Sequence, residues 1–128
     1  MKGIAFAFFA TATLAVTIGM AWGIQMSASG DHSLSAAHAH LNLVGWTTMA
    51  LFGIYYAMTQ QAAIGILPKA HFAIALAGVT AMVPGIVLAV TGQGETLAKI
   101  GSVLTILSIL IFLATVLRHG FGPARAGQ

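Results

Sequence analysis

Cysteine is absent from the 128 residues, which excludes disulfides, thiolate metal clusters and covalent c-type haem attachment. Charge is almost absent as well. Lys2, Asp31, Lys69, Glu95, Lys99, Arg118 and Arg125 amount to 5% of the chain against 59% hydrophobic residues, a balance far from that of a soluble domain. With Asp31 and Glu95 the only carboxylate side chains, there is no acid dyad. Nor is there a phosphate-binding loop or a nucleophile–base pair, so a hydrolase or transferase is disfavoured.

What is present is long apolar sequence. Uncharged runs extend over 3–30, 32–68, 70–94 and 100–117, and a spanning helix needs roughly 20 mainly apolar residues. The runs are unbroken, without the polar–apolar alternation of a membrane barrel. The sequence therefore predicts an all-α integral membrane protein of four transmembrane helices, at about 3–26, 35–58, 69–91 and 97–118, forming one domain over 1–128. No linker or internal repeat divides it. The first run is long for a leader's apolar stretch and is read as a retained anchor, despite small residues around Ser27 to Ser29.

The cations give the orientation. Lys2, Lys69, Arg118 and Arg125 fall on one side of such a bundle and Lys99 on the other. The positive-inside bias then sets both termini in the cytoplasm, in a bacterial-type inner membrane. The net charge of +3 is a topology signal, not a nucleic-acid footprint.

The most informative segment is HAHLNLVGWTTMALFGIYY, from His38 to Tyr56. An imidazole at membrane depth is costly unless paired or bound, and two spaced H-x-H suggest ligands to a metal or a haem. Each helical residue advances about 100°, so His38 and His40 point to nearly opposite sides and suit two sites, not one shared ion. Asn42, Gly45, Met49, Phe52 and Tyr56 follow on the His38 side; Val44, Thr47, Leu51 and Tyr55 follow on the His40 side. Gly45 permits close approach of a flat ring or another backbone. Asn42 and Thr47 offer hydrogen bonds to a ligand edge or an imidazole.

The other candidates read more plainly. His32 is a loop residue, His71 an interfacial residue opening the third helix beside Lys69, and His119 an interface anchor. Met20 and Met26 read as packing, not as axial thioethers. Trp22 and Trp46 suit the headgroup region, Pro84 a kink, and Gly19 with Gly23 a GxxxG packing face.

HAHLNLVGWTTMALFGIYYAM followed by KAHFAIALAGVTAMVPGIVLAVTG resembles the tenth and eleventh helices of haem–copper oxidase subunit I, over about half the chain. Lys69, His71, Phe72, Gly78, Val79, Pro84 and Gly92 fall in the family's order. The resemblance implies that His38 matches the high-spin haem ligand and His40 the low-spin one, while His71 is not a ligand. The adjacent histidines and the His-Pro-Glu-Val-Tyr-like run of the copper site are missing, so oxygen reduction by this chain alone is not expected.

The large subunit consists of three four-helix arcs, and this chain corresponds to one. The resemblance thus implies a homotrimer, with each interface holding a haem b between His38 of one protomer and His40 of the next. A dimer with two His40 residues face to face is the other arrangement. The expected function is electron transfer or a redox role at haem b, with donor and acceptor unidentified. The alternatives are a haem-free copper or zinc site and a non-catalytic assembly protein on an oxidase-like scaffold.

Overall fold

The computed structural model describes residues 1–124; Arg125, which contributes to the charge asymmetry, lies outside the described residues. Among the described residues the chain is helical, with no strand. Helix α1 spans Gly3–Ser29 and stops at Gly30, whose φ of 69° closes the helix in the left-handed region that glycine occupies without strain. Helix α3 spans Leu67–Val90, with a proline in its first turn where no N–H is needed. Helix α4 spans Thr96–His119. These three are long and apolar enough to cross a bilayer.

Helix α2, residues 35–58, is built differently. It is α-helical over Ser35–His40, widens into a π-helix over Leu41–Thr48, and returns to α over Met49–Met58. The backbone stays helical at both junctions, with φ/ψ of −57°/−44° at Leu41 and −68°/−33° at Met49. The hydroxyls of Thr47 and Thr48 reach back five residues, donating to the carbonyls of Asn42 and Leu43 at 3.3 and 2.8 Å. A π stretch is a rare local widening, frequent at functional sites.

Helix α1 packs along α2, and α3 along α4. Small residues set both spacings. A Cβ on Gly53 would come within 3.0 Å of the Ala5 carbonyl oxygen and the Phe9 nitrogen. A Cβ on Gly85 would lie 2.7 Å from Ala98 Cα, and one on Gly101 would lie 2.8 Å from Met82 Cβ. The core gathers Phe8, Met49, Phe52, Tyr55, Tyr56 and a row of alanines, while Phe6, Leu14, Ile24, Leu43, Ile106 and Leu110 face outward. Exposed Thr13, Thr17 and Thr80 donate to carbonyls of their own helices at 2.8–2.9 Å, which removes their hydroxyls from an apolar surround.

The segment after α4 is sewn onto the foot of α2. Tyr55 Oη donates to the Gly120 carbonyl at 2.8 Å, Gln61 Nε2 to the Gly122 carbonyl at 3.0 Å, and Gly122 N–H to Thr59 Oγ1 at 3.0 Å. At the opposite end Asp31 Oδ1 accepts the Ser33 N–H at 2.9 Å, which holds its carboxyl below the ordinary range.

Because backbone, not a flexible side-chain end, faces Gly101, Gly101→Val is expected to destabilise the fold by about 1–3 kcal/mol through overpacking. Thermal unfolding in detergent checks this. Ser102→Ala, on the exposed neighbour, is expected to stay within about 0.5 kcal/mol of the parent.

Candidate functional site

The two histidines of the H-x-H pair face apart, and their surroundings differ. His38 turns toward α1. Its Nε2 lies 3.0 Å from the Gly19 carbonyl oxygen, and its ring meets the Trp22 indole edge-on at 6.0 Å between centroids. A carbonyl only accepts, so Nε2 carries the hydrogen in this contact. The Asn42 amide, 3.1 Å from the same nitrogen, then directs its own N–H to the His38 carbonyl at 3.0 Å.

This arrangement explains the two glycines opposite. A Cβ on Gly23 would stand 3.2 Å from His38 Nε2, and one on Gly19 would collide with the Asn42 amide. The GxxxG face is therefore a seat for a histidine–asparagine pair as well as a packing surface. Gly45 is buried, and a Cβ there would meet Ala15 Cβ and Val79 Cγ1 at 3.2 Å. What approaches Gly45 is neighbouring helix, not open space.

His40 is exposed on the other side of α2. Its Nδ1 lies 2.8 Å from the Ala36 carbonyl oxygen, one turn back on the same helix. The same donor logic assigns the hydrogen to Nδ1, which leaves Nε2 as a lone-pair nitrogen on the protein surface. A ring fixed by a backbone carbonyl, with the other nitrogen free, is the usual posture of a metal-ligating histidine. His40 is the exposed member of the pair, whereas His38, half-buried against α1, keeps its lone pair on Nδ1. Among the described residues no group of three or more His, Cys, Asp or Glu side chains converges as a metal site.

The second polar centre was not expected. His71 is fully buried inside the bundle. Its Nδ1 lies 2.9 Å from Tyr56 Oη and its Nε2 3.2 Å from Ser108 Oγ. The rings of Phe8, Phe52 and Phe112 enclose it at centroid distances of 5.0, 4.6 and 5.9 Å. Lys69 two residues earlier suggested a membrane surface, but the buried positions of α3 run His71, Ala75, Gly78, Met82 and Gly85. That is the spacing of one helix face, and with Gly101, Ser108 and Thr115 buried at intervals of seven on α4 it was the signal available in the sequence.

No family model, curated protein or solved structure matches the chain.

Since both ring nitrogens of His71 have hydroxyl partners in an apolar cage, His71→Leu leaves Tyr56 Oη and Ser108 Oγ without that partner. A double-mutant cycle of His71→Leu with Tyr56→Phe, read by chemical unfolding in detergent, is expected to give a coupling of about 1 kcal/mol. A cycle with Tyr55→Phe in place of Tyr56→Phe is expected to give near zero.

Proposed function

We propose that the chain is a four-span protein of a bacterial-type inner membrane, with both termini cytoplasmic, that binds haem b for electron transfer or redox sensing. The observation that carries this reading is His40: Nδ1 held by the Ala36 carbonyl at 2.8 Å and Nε2 free on the exposed face. The donor set fits a haem. Neutral imidazole is an ordinary axial ligand, and the strip below His40 continues with exposed Leu43 and Thr47 and half-buried Val44, suited to a flat, largely apolar ring. Helix α2 is 24 residues long without a backbone break, which supports its reading as the fourth span.

Of the H-x-H pair one histidine is exposed, so two chains supply two axial ligands when they meet around a two-fold axis. Closed two-fold dimers are the commonest symmetric assembly, and their contact is the same patch on both copies. His40 opposite His40 is therefore favoured over a trimer pairing His38 with His40, because His38 is turned against α1, half-buried, with Nε2 on the Gly19 carbonyl. In the favoured arrangement His38 and Asn42 brace α2 against α1, and the resemblance to the oxidase helices lies in the shared H-x-H frame. A haem held by two imidazoles supplies one-electron transfer without an open coordination position. The chain's part is to fix the imidazole tautomer, exclude water and cover the ring edge.

Purification from haem-replete cells in mild detergent, with oxidised and dithionite-reduced spectra, tests the reading. A Soret band with sharp reduced α and β bands is expected, at one haem per two chains. His40→Ala is expected to abolish it and His38→Ala to retain it. Loss in both variants favours the trimer. A colourless protein that takes up no added haem overturns the proposal, and bound copper or zinc by elemental analysis would then favour the metal reading.

A further inference from the structure

Helices α2 and α4 do not close on each other above α3. They leave a cleft of about 320 Å³, walled by α2 at Val44 and Phe52, floored by Ala75 and Val79, and bounded by Ser102 to Ile109 on α4. Its α4 wall includes Ile106, which is 54% exposed, so the cleft opens sideways onto the surface that faces lipid in a spanning bundle. The volume lies at the lower end for small-ligand pockets, roughly 300–1,000 Å³. It suits a ring whose tail runs out between the helices.

Two hydroxyls on this wall differ from their neighbours on α4. Ser102 and Thr115 on the same helix donate back to the Ala98 and Ile111 carbonyls at 2.9 and 2.8 Å. Ser108 instead meets His71 Nε2 at 3.2 Å. Thr105, one turn away, carries the one buried side-chain oxygen among the described residues that has no partner, and it sits over Gly78 of α3, where a Cβ would lie 2.9 Å from it. An acyl chain has no use for such groups. A flat ring bearing an oxygen that can accept or donate has.

The chain behind Ser108 gives the site an unusual property. Tyr56 Oη, His71 and Ser108 Oγ form one line of hydrogen bonds, and it can be polarised in either sense. With the tyrosine hydroxyl donating to Nδ1, Nε2–H donates to Ser108, and the serine hydroxyl is free to donate into the cleft. With Nδ1–H donating to the tyrosine oxygen, the serine donates to Nε2, and its oxygen is free to accept from the cleft. The tyrosine hydrogen then needs an outlet, and Tyr56 also borders a second cavity of about 400 Å³ with Lys2 and Gln60 at the end of the bundle. The groups facing His71 are Phe8 from α1, Phe52 and Tyr56 from α2, and Ser108 and Phe112 from α4, none of them charged.

The geometry points to a binding site for the head ring of an isoprenoid quinone in the α2–α4 cleft, able to hold both oxidation states. Ser108 donates to the carbonyl of the quinone and accepts from the hydroxyl of the quinol, with the His71 tautomer changing between them. The site shares Val44 with the strip below His40, but its hydrogen-bonding residues are separate and it does not depend on the haem reading.

The test is equilibrium binding of a short-chain ubiquinone, and separately of its anaerobically reduced quinol, to the full chain in phosphatidylcholine nanodiscs. One saturable site per chain is expected for each. Ser108→Ala is expected to weaken both about fivefold and to return the infrared carbonyl band of the bound quinone to its position in lipid. Thr13→Val, on the far face of α1, is expected to change neither. Tyr56→Phe separates this role from a merely structural one, because the quinol tautomer needs the tyrosine oxygen to accept Nδ1–H. It is expected to weaken quinol binding about fivefold and quinone binding less than twofold. Absence of saturable binding by the parent chain overturns the proposal, as does a Tyr56→Phe variant that shifts both affinities equally.

Discussion

A single imidazole with both nitrogens paired ties this bundle together. His71 stands on α3, takes its hydrogen-bond partners from α2 and α4, and is walled by a phenylalanine from α1. In an apolar interior an unpaired polar group is expensive, so the helices that supply those partners are held to one relative arrangement. Apolar contact alone is weakly directional, and in lipid it gives helices little reason to prefer one neighbour. The Tyr56–His71–Ser108 line supplies the direction, and Gly53, Gly85 and Gly101 let the helices come close enough to complete it.

The two ends of α2 do different work because of that constraint. Its lower part is committed to the core through Phe52, Tyr55 and Tyr56. Tyr55 lies on the His40 side of an ideal helix, yet it is buried, because Phe112 of α4 and the segment at Gly120 fold over it. Its upper part keeps one histidine against α1 and presents the other outward. Burial at one end thus leaves a single helix face at the other end available to something outside the chain.

Much of the helical layout was legible in the sequence, since an uncharged run of such length has few ways to satisfy its backbone in lipid except as a helix. The opposite directions of His38 and His40 were legible too, from the angular step between residues. The burial of His71 was misread because Lys69 is a strong local sign of a membrane surface, whereas the stripe of small residues that turns His71 inward becomes visible only over four turns. The cleft could not be read, because it arises where α2 and α4 part beyond the Phe52–Phe112 contact, a property of packing that no segment carries alone. The π stretch left no mark either: threonines at 47 and 48 are ordinary residues until the turn has already widened.

That stretch sets the phase of α2. A π turn accommodates an extra residue relative to an α turn, so the same residues narrowed to ordinary α geometry would carry one residue too many for the present phase. The register of everything below would then rotate by about 100° relative to everything above. Tyr56 would swing away from His71 while His40 kept its outward face. The segment is thus a phase-setter between the two halves of one helix, and its widened turn determines whether the outward histidine and the buried imidazole occur together in one folded molecule.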